Sequence, residues 1–394
     1  MQPADRQPTS DAVQDPVDQH DMSAMGAQGW VLAADANAFI GRNVQIRRYA
    51  DLKSWESQNW LMATASRGPA TRQFSAELML SLEPFTMHDG GSPQLFQTGE
   101  SFDQRPLVNF QHPHDLLMGL GATYKFTHQQ LTYIVGADLV GSATLGPPVF
   151  MHRASARDNP QVPLLHHYLD STHITPGVVR GGFGFGSWLI EASAFRGQEP
   201  DENRTNIEQP QLDSWAARVG WSRGPWSMQF SGGHLKQPEW WEPFDATRLT
   251  ASISYEGAID ARPLAMTLAW GENRQSNGIN GNVDGFLLEG NFTATNRSTV
   301  YGRVEAAGKE ILGVGPHTRQ DLHAHWISDL RVFTLGYIRD LVISSRVGRF
   351  GVGADATLYR MSQDIVSYYG GSSSYHFFLR WRPTSTSMSH HHGE

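Results

Sequence analysis

There is no cysteine among the 394 residues. That excludes a disulfide framework, thiolate metal sites and a thiol nucleophile, and it suits a chain that crosses an oxidising compartment unfolded, where a thiol would only mispair. Long apolar runs are missing too. No segment approaches the roughly 18 consecutive apolar residues of a spanning helix, and the mean hydropathy is −0.41, so a helical membrane protein is excluded. Positive charge is scarce: 31 Lys and Arg face 39 Asp and Glu, a net charge of −8. With no basic patch, nucleic acid is excluded as a partner. The first thirty residues, rich in Gln, Asp and Pro, have no apolar signal-peptide core. A secretion signal is therefore expected either to have been removed or to lie upstream of Met1.

What the chain has instead is a two-residue rhythm. From Phe74 onward, Phe74, Ala76, Leu78, Leu80 and Leu82 face one way and Ser75, Glu77, Ser81 and Glu83 the other. The same split separates Trp226, Met228 and Phe230 from Ser227, Gln229 and Ser231, and Phe286, Leu288 and Phe292 from Glu289, Asn291 and Thr293. Strands send alternate side chains to opposite faces, so one face suits lipid and the other water; helical spacing would not produce this.

About sixteen such stretches occur, at 28–40, 55–67, 71–83, 115–127, 130–141, 172–185, 187–197, 212–222, 225–236, 246–257, 262–272, 283–294, 298–309, 324–338, 343–359 and 373–382. Their connections alternate in length. Arg67-Gly68-Pro69-Ala70, Thr127-His128-Gln129, Gly186, Ser222-Arg223-Gly224-Pro225 and Thr295-Asn296-Arg297 are short, whereas 84–114, 142–171, 198–211 and 310–323 are long. Trp188, Trp215, Trp221, Trp226, Trp270, Tyr301, Trp326 and Trp381 sit near strand ends, where indole and phenol rings anchor both bilayer interfaces. A soluble β-sandwich would show turn signals every ~8–12 residues without this alternation of lengths.

The fold class expected is all-β: a transmembrane antiparallel up-and-down β-barrel of about sixteen strands, with fourteen to eighteen allowed by the irregular segments 28–40 and 343–359. Residues 1–27 are read as a disordered periplasmic leader, 28–383 as the barrel with long outer loops 84–114 and 142–171, and 384–394 as a polar tail. An even strand count puts both termini in the periplasm, the short turns beside them and the long loops outside.

From Trp30 to Pro383 the chain resembles porin-like outer-membrane barrels of Gram-negative bacteria, down to an aromatic closing strand, Tyr375-His376-Phe377-Phe378-Leu379-Arg380-Trp381. In detail, Leu95 to Glu100, Arg105 to Val108, His112-Pro113-His114-Asp115, Leu145 to Pro148, Phe150 to Arg153 and Asp170 to His173 are similar to a group of such barrels, some with His- and Met-rich leaders. The resemblance implies an outer-membrane location, the lipid bilayer and the barrel assembly machinery as partners, and a homotrimer as the arrangement to test. It carries no particular activity.

Roughly eight strands can be filled by their own side chains, so sixteen leave a lumen. Its wall is expected to carry Glu77, Asp138, Glu191, Arg218, Glu289, Arg303, Glu305, Asp355 and Arg380, with Arg382 beside them. Charges of both signs there either orient polar solutes or hold one another in ion pairs. The two long loops are expected to fold inward and constrict the lumen.

Of 17 histidines, eleven fall on the long connections or beside them: His88, His112, His114, His152, His166, His167, His173, His234, His317, His323 and His325. The candidate metal ligands are His112, His114, Asp115, His152, His166, His167, His173, His323 and His325. Imidazole with carboxylate suits zinc or copper, and the neighbouring Met87 and Met151 tilt the preference towards Cu(I). Folding hydrogen bonds are the competing role for every one of them. The segment His166 to His173 also packs Ser, His and Asp together, which raises a rim hydrolase with Ser171 as nucleophile, although strand alternation does not make a triad. Ser276-Asn277-Gly278, Asn280 to Gly285 and Gly181 to Gly186 read as loop, hairpin and strand-bend chemistry rather than catalytic, calcium or nucleotide motifs. The sequence thus points to a channel for passive diffusion of small polar solutes or metal ions, with a metal receptor and a rim hydrolase as rivals.

Overall fold

The computed structural model describes residues 29–88, 90–103, 105–239, 244–276, 282–310, 327–383 and 386–390. Its strands are β1 (Trp30–Ile46), β2 (Leu52–Arg67), β3 (Arg72–Leu80), β4 (Ser92–Phe102), β5 (Arg105–Gln111), β6 (Leu117–His128), β7 (Leu131–Gly141), β8 (Thr175–Phe185), β9 (Trp188–Phe195) and β10 (Ser214–Arg223). They continue with β11 (Trp226–Leu235), β12 (Ala246–Ile259), β13 (Arg262–Gln275), β14 (Asn282–Thr295), β15 (Ser298–Glu310), β16 (Ile327–Ser344), β17 (Gly348–Met361), β18 (Ser373–Arg382) and β19 (Thr386–His390). Strands β4 and β5 form a separate hairpin, and β19 extends the seam by pairing with Trp30 to Ala34 of β1. The other sixteen pair antiparallel in sequence, β3 passing directly to β6, until β18 returns to β1 from Ala38↔Trp381 to Ile46↔Ser373. Closure of this ring leaves no unpaired edge in the hydrocarbon, the condition any spanning sheet must meet.

The sequence alternation becomes an inside and an outside. Along β16, Phe333, Leu335, Tyr337 and Leu341 face outward while Val332, Thr334, Gly336, Ile338 and Asp340 face inward. Leu335 is 67% exposed and Phe377 59% exposed, members of an apolar outer belt far larger than a water-soluble monomer carries. Aromatic pairs brace this belt near the short turns, including Trp30 with Phe74 and Trp226 with Tyr255. The turns themselves are tight. Asp260 and Ala261 both take positive φ, 50° and 61°, the backbone that lets a two-residue hairpin follow the twist of its strands.

The sixteen barrel strands lie where alternation predicts them, with shifted ends, of which β1, running to Ile46, and β16 are the clearest. Strands β4, β5 and β19 fall in stretches read as loop and tail. The sequence pattern ends the fourteenth strand at 338, before the charged pair Arg339-Asp340, but β16 runs on to Ser344 and turns at 345–347. Asp340 is not a turn residue. It points inward, accepts from Arg380 Nη2 at 2.6 Å and Arg349 Nε at 2.8 Å, and sits at a bulge that absorbs the irregular spacing.

Inside the wall, Tyr301 is seated on the bare backbone of Gly336, and its hydroxyl donates to Asp355 Oδ2 at 2.9 Å. A Cβ at position 336 would lie 2.1 Å from the ring carbon Cζ. Gly336→Ala is therefore expected to push the ring off its acceptor and cost about 1–3 kcal/mol, read as a lower urea midpoint for loss of the barrel's heat-modifiable electrophoretic migration.

Candidate functional site

The lumen is occupied by the connection between β7 and β8, residues 142–174. It contains a 3-10 turn, Phe150–His152, and one turn of helix, α2 (His166–Leu169). A loop this long can lie inside a barrel only if its backbone and side-chain polar groups find partners. Here the wall provides them strand by strand. Arg153 Nε donates to Glu289 Oε1 at 2.7 Å, and its Nη1 donates to Asp170 and to Pro148 O. Glu289 also accepts from Arg303 Nε at 3.2 Å and Ser155 Oγ at 2.9 Å. Asp158 accepts from Asn291 and Arg380, Gln161 Oε1 accepts from Thr357, and Leu165 N donates to Glu305 at 3.2 Å. Burial pulls the Arg153 guanidinium down, but Glu289 and Asp170 outweigh it and hold the group above its ordinary value. Burial raises the Asp170 carboxyl, and Arg153 and His166 more than reverse that, leaving it well below the usual range.

Apolar residues complete the anchorage. Leu165, Tyr168 and Leu169 pack on Ala269, Val283, Leu287 and Ala307 of the wall, and Val149, Phe150 and Met151 pack with Met118 and Val140. The second long connection also turns inward. It opens with α1 (Glu83–Thr86), and its hairpin lays Leu95 and Phe96 against Leu330, Val332 and two residues of α3 (Gln363–Tyr369), Ile365 and Tyr369. Gln94 Nε2 donates to Val162 O at 2.7 Å, which joins the two inserted segments.

Between the inserted loop and the short-turn rim lies a cavity of ≈ 2100 Å³, reaching Ala70, Gly186, Ala261 and Asn296 at that rim. On the other side of the loop a pocket of ≈ 40 Å³ lies among Trp60, Met87, His112, His114 and Phe150. Arg157 lines both. Its Nε is buried and has no hydrogen-bond partner. Arg382 is near enough for its charge to interact with those of Arg157 and Arg380, and Asp158 interacts with all three.

The nine wall residues singled out from sequence all point inward and divide into two sets. Glu77, Asp138, Glu191, Arg218 and Arg380 line the large cavity, where Arg218 Nη2 pairs with Glu191 at 2.8 Å and Arg180 pairs with Asp138. Glu289, Arg303, Glu305 and Asp355 are buried beneath the inserted segments.

The histidines form a string. Ring centroids are 6.5 Å apart for His112 and His114, 5.4 Å for His114 and His173, 5.2 Å for His173 and His166, and 5.4 Å for His166 and His167. Each of the first four has Nδ1 on an oxygen: Pro113 O for His112, Glu83 for His114 at 2.7 Å, Asp170 O for His173 and Asp170 Oδ1 for His166 at 2.6 Å. Burial lowers His112, His166 and His173, well below the ordinary value in the first and third. His152 stands apart against Trp60, with burial taking it down to about 4. Asp115 accepts from Arg204 at 3.4 Å, and its carboxyl is pushed up by burial to about 7. His323 and His325 lie outside the described residues, as do 1–27 and the histidines beyond 390.

Among the described residues one three-donor set has its ligand atoms within 4.8 Å of one another: His167, Glu199 and Glu239. Only its histidine was singled out from sequence. The two glutamates sit on separate connections, and no spacing in the sequence links them to His167.

No family model and no curated protein matches the chain. Solved structures do. The chain is similar to Salmonella typhi OmpF in complex with daunomycin, at TM-score 0.56 and 9% identity over 89% of this chain and 97% of that one. The outer membrane channel DcaP of Acinetobacter baumannii gives 0.53 and 8% over 90% and 97%, and an anion-selective porin from Comamonas acidovorans 0.50 and 11% over 89% and 99%. The fold is that of the bacterial outer-membrane porins.

Around Ser171, the candidate nucleophile of the hydrolase alternative, the partners among the described residues are a guanidinium and a carboxylate. Ser171 Oγ accepts from Arg248 Nη1 at 2.9 Å and bonds to Glu199, not to an imidazole. Ser276 bonds to Asp245, and Asn277 and Gly278 lie outside the described residues.

Proposed function

We propose that the protein is an outer-membrane channel for passive diffusion of small polar solutes, with short turns and termini in the periplasm and long loops outside. The observation that carries this is the large charged cavity bounded by the inserted 142–174 loop, with Arg157 lining it and the smaller pocket beyond. Solutes would pass the loop beside Arg157, whose positive charge lines both spaces and favours anions. Binding there must stay weak, since conduction needs release as well as entry. The alternative is a receptor that binds a metal ion without conducting. A homotrimer belongs to the channel reading, and the mass of the detergent complex tests it separately.

Single-channel recording of the refolded protein in a planar bilayer decides between the two. Steady conductance steps support the channel; a folded barrel that never conducts but binds metal with submicromolar affinity overturns it in favour of the receptor. Arg157→Gln is expected to shift the reversal potential in a KCl gradient towards cation preference while the barrel keeps its heat-modifiable migration. An unchanged potential would place the passage elsewhere.

A further inference from the structure

We propose that His167, Glu199 and Glu239 form a site for a divalent transition-metal ion, best matched by Zn²⁺, which ties the inserted loop to two connections of the long-loop rim. The three donors come from three different segments. His167 is on α2, Glu199 lies between β9 and β10, and Glu239 between β11 and β12. Glu199 N donates to Pro238 O at 3.0 Å, so the two carboxylate segments are already joined, and Asn273 Nδ2 donates to His167 O at 3.0 Å to fix the imidazole's backbone.

The spacing of the two ion pairs that His167 makes with these glutamates is also that of a ligand set. His167 Nδ1 lies 3.5 Å from Glu199 Oε1 and 3.6 Å from Glu239 Oε1. A charge-assisted hydrogen bond closes to about 2.7–2.9 Å. Ligand atoms about 2.0–2.1 Å from a tetrahedral zinc are roughly 3.3 Å from each other, so the two separations from the imidazole need only a few tenths of an ångström of closure, and the carboxylate oxygens lie within 4.8 Å of each other. Glu199 Oε1, the atom that faces the imidazole, is buried, so a cation there would be shielded from water. No thioether belongs to the set, and one imidazole with two carboxylates favours Zn²⁺ over Cu(I). Arg248, 1% exposed, interacts electrostatically with both glutamates. It offsets one of the two negative charges, which tempers affinity and keeps the ion exchangeable.

The test is calorimetric titration of the refolded full chain with Zn²⁺, comparing wild type with a Glu199→Gln, Glu239→Gln double variant whose heat-modifiable migration confirms closure. The expected result is a saturable site in the wild type, beyond any binding that both chains share, that weakens at least tenfold in the variant, together with a Zn²⁺-dependent rise in melting temperature that the variant lacks. Histidines near the termini bind equally in both chains and cancel. Zn²⁺ binding unchanged in the double variant, or absent from the wild type, overturns the proposal. If the double variant fails to close, His167→Gln, which keeps a polar side chain of similar reach, takes its place with the same tenfold loss expected. Conductance is not the readout, so a failure here leaves the channel reading standing.

Discussion

Arg153→Met is expected to release the inserted loop from the barrel wall. Arg153 is 3% exposed, and its guanidinium joins Asp170 on the loop to Glu289 on β14. Removing one partner of a buried ion pair costs about 3–5 kcal/mol, because the remaining charges stay in place without compensation. Glu289 retains Arg303 and Asp170 retains His166, so the wall and α2 keep part of their order. The link between them is lost. Methionine replaces most of the volume, which separates the lost charge from the lost packing. The expected readouts are faster amide exchange confined to 142–174, and larger or noisier conductance in a barrel whose migration is unchanged. Arg153→Lys is expected to fall between wild type and the methionine variant, since an ammonium keeps the charge but lacks the fixed fork that reaches both carboxylates and Pro148 O at once. Unaltered exchange in Arg153→Met would mean that the remaining contacts, among them Asp158 with Arg380 and the packing of Leu165, Tyr168 and Leu169, hold the loop without it.

Replacing residues 147–169 with a short Gly/Ser connector is expected to produce the largest conductance in the series and to raise the size limit for neutral sugars in liposome swelling several-fold. The sixteen-strand ladder does not depend on the loop for its hydrogen bonds, so closure should survive. Stability should not be untouched. The truncation wets Ala269, Val283, Leu287 and Ala307, which the loop now covers, and it leaves Glu289 and Arg303 to solvent and to each other. A lower melting temperature is therefore expected alongside the wider passage. An unchanged swelling rate would assign the occlusion to the β4–β5 hairpin, which packs on the same interior from the other side.

Strand positions were legible because the bilayer and the lumen impose opposite demands on successive residues. Phe333, Thr334, Leu335 and Gly336 reveal their faces without any knowledge of neighbours. Legibility failed where an inward residue was as polar as a loop residue. Asn43 and Gln45 extend β1 to Ile46, beyond the expected end at 40, because Asn43 Nδ2 donates to Pro93 O and Glu56 while Gln45 Oε1 accepts from Leu95 N and Ser374 Oγ. Those partners are 13 to 329 residues away in the chain, and no local pattern announces them.

The candidate sites follow the same division. The concentration of histidine on the long connections, and the presence of charge on the inner wall, are properties of residue order. By itself the sequence determined the barrel, its two unlike rims and the inward direction of Glu77, Asp138, Glu191 and Arg218, since a period of two needs only backbone geometry and a two-phase surrounding. Loop length already made the inward folding of 142–171 an expectation; tertiary structure alone decided what holds it there, that Arg153 joins Asp170 to Glu289, and that His167 meets Glu199 and Glu239. These contacts join segments far apart in sequence, chosen by which buried charges and hydrogen-bonding groups could satisfy one another once the ring had closed.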